Sequence, residues 1–290
     1  MDDGRGGDAT ERSSDVDERT ADRGRGSRPA DQDGVRDTTS PTVGSSADRD
    51  TDQIGTVLIG FGAGAVGFLA MIVWTFVLGA FAIPFLGGEL TPIDEVLLST
   101  LALGFGMATG AAIYLWWSDR TIAFIDLHVP SLRDVVYTVG GVVGLFAALF
   151  AISWITQQLG VPASEHGIIE TAREGDPTIL LVLVPLSILI IGPGEELLFR
   201  NVVQKLLYDA FSRSGAIVIA SVIFAIVHVP AYLTGTPSQV ATSIVSVFVL
   251  SLLLGWIYHR TENLVVPALI HGLYNAVLFA TLYAELTGVV

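Results

Sequence analysis

The chain has 290 residues, of which 51% are hydrophobic, and a mean hydropathy of +0.61. This composition favours a membrane protein with several transmembrane helices over one or two soluble domains. The formal net charge of −14 argues against nucleic acid as a partner, because phosphate backbones bind basic surfaces. The absence of cysteine excludes disulfide bonds, thiolate metal ligands and a cysteine nucleophile.

Residues 1–53 consist mainly of Asp, Arg, Gly, Ser and Thr. Such a segment buries too little apolar surface to offset the entropy lost on ordering, so we expect a disordered acidic tail. It has no apolar stretch of the kind that a signal peptide contains. Lys205 is the only lysine of the chain. An excess of aspartate with almost no lysine resembles the composition of proteins from salt-loving organisms.

Residues 54–290 are predicted to form one membrane domain, an all-α bundle of about seven transmembrane helices. The predicted spans are 54–86, 93–117, 135–156, 178–209, 215–233, 240–258 and 264–286. The fourth is too long for a simple span, since it would extend roughly 48 Å as a helix. Gly192-Pro193-Gly194 in its middle predicts a kink or a break. A full break there would make an eighth span.

The distribution of basic residues predicts the orientation of the spans. Basic side chains occur in alternate loops, at Arg120, Arg133, Lys205, Arg213 and Arg260. The opposite loops contain only Arg173, which lies among acidic residues. Seven spans with the N-terminus in the cytoplasm and the C-terminus outside fit this pattern.

Few ionisable side chains lie within the predicted spans and away from their ends. They are Glu195, Glu196, Arg200, His228 and His271, with Asn275 as the main amide. A charge at the bilayer centre costs about 2.5–3.5 kcal/mol or more, so such residues are functional candidates. Helical rise places Glu195, His228 and His271 about 16–22 Å from the charged residue near one end of each span. Three helices therefore present polar groups at similar depth.

A carboxylate, two imidazoles and an amide at one depth can activate water against a carbonyl group and stabilise the oxyanion that forms. Each residue also has a structural interpretation, because a histidine or asparagine in a membrane helix often hydrogen-bonds to a neighbouring helix. Glu196 and Arg200 are four residues apart on one helix face and can pair, so we favour a structural role for Glu196.

The sequence lacks the motifs of other membrane-protease classes. It contains no H-E-x-x-H zinc helix and no G-x-S-x-G serine elbow. Residues 192–195 superficially resemble the G-x-G-D of intramembrane aspartyl proteases. That chemistry needs a second aspartate within the membrane, and no predicted span supplies one away from its end.

Three motifs resemble those of the CAAX-protease and bacteriocin-processing family, also called CPBP or Abi. They are E-E-L-L-F-R at 195–200, F-A-I-V-H at 224–228 and H-G-L-Y-N at 271–275. Further similarity lies in D-L-H-V-P at 126–130, in Leu254-Gly255 and in Arg260. The resemblance covers roughly residues 54–286. Asn201 is a small departure, because the family often has glycine there.

The resemblance implies an α-helical intramembrane endopeptidase related to the type II prenyl-protein endoprotease. By this similarity, Glu195 and His228 would activate the water, and His271 and Asn275 would hold the scissile carbonyl or the oxyanion. The implied supporting residues are Glu196, Arg200 and Phe224. The implied partners are the lipid bilayer and a protein or peptide substrate, with prenylated C-termini as one substrate class.

The metal requirement stays open at this point. The family is labelled a metalloprotease, yet a metal-free glutamate mechanism is also argued for it. Glu195, His228 and His271 are the candidate ligands of a zinc ion, since two histidines and one carboxylate make a known three-ligand set. A metal-free site is equally consistent with the sequence.

Two other functions compete with proteolysis. One is a non-enzymatic membrane scaffold or bacteriocin-immunity-like protein that keeps the fold without hydrolysis, although a scaffold has no physical need for all six polar residues. The other is a proton-coupled transporter with a Glu/His relay. A transporter would need polar residues along a path to both sides, and the first, third and sixth predicted spans have no acid or base midway.

Overall fold

The computed structural model describes residues 46–289, which contain helices and no strand. The eight helices are α1 (Ser46–Phe85), α2 (Pro92–Trp117), α3 (Leu132–Gln158), α4 (Gly167–Glu174), α5 (Thr178–Leu207), α6 (Arg213–Val227), α7 (Pro237–Thr261) and α8 (Val265–Leu286). Short 3-10 turns lie at Ile122–Phe124 and Val229–Tyr232. The predicted all-α fold is confirmed.

Six of the described helices are long and apolar enough to cross a membrane, namely all except α4 and α6. α6 is apolar but has only 15 residues. The six long helices and the shorter α6 together correspond to the seven predicted spans. The eight-residue α4 was not predicted, because its few apolar residues lie in a loop rich in acidic side chains.

The first helix begins earlier than predicted. Residues 1–45 of the predicted tail lie outside the described residues, so disorder there stays a prediction. α1 begins at Ser46, which makes residues 46–53 helical rather than part of a disordered tail. The reason is that extending a helix by one residue costs far less than starting one, so an apolar span can continue into polar sequence.

α5 is one continuous helix, so the predicted break at Gly192-Pro193-Gly194 is wrong, and no eighth span forms there. Two π-helical segments, Ser187–Ile191 and Leu197–Gln204, flank a short α-helical segment at Gly192–Glu196. Proline lacks the N–H that an α-helical turn needs, and a wider turn can accommodate that loss. Such π-helical turns often lie at functional sites.

Glycines allow α5 and α8 to pack backbone against backbone. A Cβ atom on Gly192 would lie 2.5 Å from the carbonyl oxygen of Ala268, and one on Gly272 would lie 2.6 Å from that of Ser187. Any larger residue at either position would push the helices apart. The close approach brings the carboxylates of α5 within reach of His271, the residue next to Gly272.

The connecting loops form two layers, a first layer near the C-terminal end of α7 and a second layer near its N-terminal end. Near its C-terminal end, the Tyr258 hydroxyl donates to Asp126 at 2.6 Å, and Lys205 pairs with Asp126 at 3.0 Å. Near its N-terminal end, the Ser164 N–H donates to the Gln239 carbonyl at 3.2 Å. α6 begins in the first layer and leads through the 229–232 turn into the second. The short α6 therefore also traverses the bundle.

Candidate active site

A cavity of about 380 Å³ lies inside the helical bundle, and each of the eight helices contributes to its wall. The wall is mainly apolar. Its polar lining includes Glu195, His228, His271 and Asn275, the four residues predicted to carry the chemistry. A concave, largely apolar cavity with a few converging polar groups is the usual form of a ligand-binding site.

Glu195 lies between two imidazoles at the polar side of the cavity. Its Oε2 atom is 3.6 Å from Nε2 of His228 and 3.8 Å from Nε2 of His271. This oxygen is buried and makes no hydrogen bond with any described residue. The three side chains that were predicted to lie at similar depth therefore meet in one site.

Hydrogen bonds on the far side of each ring fix the imidazole tautomers. Nδ1 of His228 lies 2.7 Å from the Phe224 carbonyl oxygen, and Nδ1 of His271 lies 2.9 Å from Oε1 of Glu196. Both oxygens accept, so both Nδ1 atoms carry a hydrogen. In a neutral ring Nε2 then has only a lone pair. Oε2 of Glu195 and the two Nε2 atoms are thus three hydrogen-bond acceptors that face one another. A water molecule or an added proton between them would supply the missing donor.

Glu196 joins the site to the interior of the protein. Nε of Arg200 donates to its Oε2 at 2.8 Å, and both side chains are fully buried. This is the ion pair that the i,i+4 spacing predicts. Its other oxygen accepts from His271, a contact that the sequence did not reveal. Arg200 also donates to Ser251 at 3.0 Å.

The charges of the buried cluster are not balanced. Ionised Glu195 and Glu196 against Arg200 leave one negative charge in the interior. Uncompensated buried charge is costly. One additional proton within the cluster would make it neutral.

Phe224 and Asn275 complete the predicted set. The Phe224 ring lies 4.2 Å from the His228 ring and 5.0 Å from the Arg200 guanidinium, so it packs against both side chains. Asn275 lies one turn after His271 on α8 and is half-buried in the cavity wall. Its amide makes no hydrogen bond with another residue in the part of the chain that the structure describes.

Asn201, the departure from the family pattern, has a packing role. It is fully buried on α5, and its Oδ1 accepts the Asp126 backbone N–H at 2.9 Å. It thereby fixes the loop that carries the D-L-H-V-P segment. It does not line the cavity.

Two polar residues of the cavity wall, His166 and Tyr232, were not predicted from the sequence. His166 precedes α4, and Tyr232 ends the 3-10 turn after α6. Burial lowers the pKa of His166 to about 4, so its ring is neutral near pH 7, and a tyrosine hydroxyl is neutral there as well. His166 lies in a loop without a periodic pattern, and Tyr232 lies at the end of the predicted span 215–233, so no local signal in the sequence could have placed them in the cavity.

The predicted zinc ligands, Glu195, His228 and His271, all line the same cavity. No group of three His, Cys, Asp or Glu side chains within residues 46–289 is placed to hold a metal ion. The separations of 3.6 and 3.8 Å from Glu195 to the imidazoles exceed the roughly 3.3 Å between ligand atoms around tetrahedral zinc. A zinc requirement therefore stays a prediction.

The fold and the cavity define a class, that of polytopic helical membrane proteins with a buried Glu–His site. Residues 177–277 match the family model described as Rce1-like: Type II CAAX prenyl endopeptidase Rce1-like. This segment runs from α5 into α8 and contains all three motifs, so the resemblance to the CAAX proteases is confirmed there. No curated protein and no solved structure matches the chain significantly.

Proposed function

We propose that the chain is an intramembrane endopeptidase that hydrolyses peptide bonds of membrane-associated proteins, with CAAX-type C-termini as the substrate class. One observation carries this proposal. Glu195 Oε2 lacks a hydrogen-bond partner and faces the lone pairs of two imidazoles inside an apolar cavity. The match of residues 177–277 to the type II CAAX prenyl endopeptidases supports it.

The first step is activation of a water molecule. A water between Glu195 and His228 donates one hydrogen to each, because both present acceptors. Its oxygen then attacks the scissile carbonyl carbon while a proton passes to Glu195 or His228. The C–N bond of the resulting tetrahedral intermediate breaks, and the same proton moves to the leaving nitrogen. General-base catalysis of this kind contributes about 10²–10⁴-fold to the rate.

The second requirement is stabilisation of the oxyanion. The Asn275 amide can donate to it directly, since no other described residue engages that amide. His271 can donate only when Nε2 is protonated, because its Nδ1–H is directed at Glu196. The hydrogen bond to Glu196 orients the His271 ring, so we assign Glu196 a positioning role on His271 in addition to its pair with Arg200.

The same reasoning supports the expected surroundings of the enzyme. The partners are the bilayer and a peptide substrate, and a mainly apolar cavity suits a lipidated one. Arg133 donates to the Arg260 carbonyl, and Arg120 pairs with Asp209, so the basic residues lie together at one end of the bundle. We propose that this end, with the N-terminus, faces the cytoplasm.

The unpartnered oxygen of Glu195 argues against a scaffold without catalytic activity. A buried acceptor without a hydrogen bond lowers stability and contributes nothing to a purely structural role. The pair of Glu196 and Arg200 would serve either function, and therefore does not separate them.

Cleavage of a prenylated peptide tests the proposal. The purified protein, in detergent, is incubated with a farnesylated peptide that ends in a CAAX sequence. Wild-type protein should release the C-terminal tripeptide, and the Glu195→Gln variant should not. Glu285→Gln is a matched control, since Glu285 is exposed near the end of α8. Equal cleavage by wild-type and Glu195→Gln protein would contradict the proposal.

A further inference from the structure

His166 caps α4 with one ring nitrogen and leaves the other free. Its Nδ1 accepts the backbone N–H of Ile168 at 3.2 Å. A neutral imidazole that accepts at Nδ1 carries its hydrogen on Nε2. Because burial lowers the pKa of His166 to about 4, the ring is neutral near pH 7 and Nε2 can only donate.

His166 belongs to the same cavity as the Glu–His site. It lines the cavity wall together with Glu195 and His228. The Tyr232 ring contacts it edge-on, with centroids 5.2 Å apart. Neither Nε2 of His166 nor the Tyr232 hydroxyl makes a hydrogen bond with another described residue. Two neutral donors without acceptors therefore border the site.

The main chain holds these two donors together. Oγ of Ser164 donates to the Tyr232 carbonyl at 2.9 Å, and Oγ1 of Thr234 donates to the Glu165 carbonyl at 2.7 Å. Oγ of Ser243 on α7 donates to the Ser164 carbonyl at 2.8 Å. The segment before α4 and the segment after α6 are thus fixed to each other. Their main chains are held in place before any ligand binds, which lowers the entropy cost of binding.

We propose that the Nε2–H of His166, with the Tyr232 hydroxyl, binds a main-chain carbonyl oxygen of the peptide substrate next to the scissile bond. This inference rests on the proposed endopeptidase function. Neutral donors suit a neutral acceptor, whereas the carboxylate of Glu195 repels a second carboxylate in a low-dielectric cavity. His166 is therefore a substrate-binding residue that takes no part in proton transfer.

Two substitutions separate binding from helix capping. In His166→Asn, the amide oxygen can replace Nδ1 as the cap, since asparagine is a favoured N-cap residue, but the Nε2 donor is lost. In His166→Gln, the longer amide can replace the Nε2 donor, but the cap is lost. Tyr232→Phe removes only the hydroxyl. Tyr283→Phe is the matched control, because Tyr283 does not line the cavity.

Steady-state cleavage of the farnesylated CAAX peptide is the first measurement. His166→Asn should raise KM about two- to tenfold, the loss of one hydrogen bond between neutral groups, with kcat and Tm nearly unchanged. His166→Gln should keep KM near the wild-type value and lower Tm. An unchanged KM in His166→Asn, or a fall in kcat without a change in KM, would overturn the inference.

A binding measurement separates this inference from the proposed function. The Glu195→Gln protein is titrated with the same peptide, with and without His166→Asn. Weaker binding with His166→Asn supports the inference, even if the wild-type protein proves unable to cleave the peptide. Equal affinity of the two proteins, or no binding by either, overturns it.

Replacing a peptide carbonyl by methylene provides a third measurement. The replacement is made in turn on either side of the scissile bond. At one of these positions the loss in affinity should not add to the loss caused by His166→Asn, because both changes remove the same hydrogen bond. Full additivity at both positions would contradict the assigned contact.

Discussion

Two adjacent carboxylates on α5 belong to very different surroundings. Glu196 accepts from Arg200 at 2.8 Å and from His271 at 2.9 Å, and its side chain is wholly buried. Glu195 faces the cavity, and its Oε2 atom lacks any hydrogen-bond partner among the described residues. One residue along a helix turns the side chain by about 100°, which separates the two surroundings. A carboxylate with its hydrogen bonds satisfied stabilises this fold, whereas an unsatisfied one is available for chemistry.

The largest expected effect is on the Glu195 side. Glu195→Gln should fold normally, because the change is nearly isosteric, and lose activity by about 10²–10⁴-fold if Glu195 is the general base. His228→Ala should be similarly inactive, since it removes the other acceptor for the attacking water. Rates of peptide cleavage and thermal unfolding of each protein are the measurements. If the Glu195→Gln protein cleaves at the wild-type rate, Glu195 has no catalytic role that distinguishes it from Glu196.

The next effect concerns the Glu196 side and appears in stability. Glu196→Ala or Arg200→Ala leaves one buried charge unpaired, so each should cost about 3–5 kcal/mol and lower the folded yield. The double variant should cost less than the sum, because it removes both charges together. A double-mutant cycle of unfolding measures this coupling. Strict additivity would show that the ion pair contributes nothing.

A smaller effect is expected from Asn275. Asn275→Ala removes one proposed oxyanion donor, which costs about 10²–10³-fold in kcat, so residual activity should remain measurable. The fold should be unaffected, because the amide makes no hydrogen bond with a described residue. Single-turnover rates and Tm are the measurements. A complete loss of activity would give Asn275 a role beyond oxyanion stabilisation.

The smallest expected effect is that of metal removal. Because the proposed mechanism uses only side chains of this chain to activate the water, cleavage should continue after dialysis against a chelator. The rate before and after dialysis, and after zinc is added back, is the measurement. Loss of activity that zinc restores would instead favour coordination by Glu195, His228 and His271. In that case the partner that Glu195 lacks would be a metal ion.

The helical spans were predictable from the sequence, for a physical reason. A bilayer leaves no water to satisfy backbone groups, so apolar stretches of sufficient length must form helices. The boundaries were less predictable, as α1 shows by beginning at Ser46 within the predicted tail. Of the kink or break predicted at Pro193, the break does not occur, because neighbouring turns widen to π-helix and keep α5 continuous.

The sequence by itself determined which residues could share a site and which could pair. Scarcity of ionisable side chains in apolar spans selected Glu195, His228 and His271, and helical spacing predicted the pair of Glu196 and Arg200. These are local properties, set by one residue's neighbours along the chain.

The surroundings of these residues follow from the tertiary structure alone, because they depend on how separate helices approach one another. The backbone contact between Gly192 and Gly272 brings His271 to Glu196 and fixes which of its nitrogens faces Glu195. The hydrogen bonds between the segment before α4 and the segment after α6 bring His166 and Tyr232 to the cavity. Contacts between residues far apart in sequence leave no periodic trace in it, so the surroundings of the site could not be read from the chain alone.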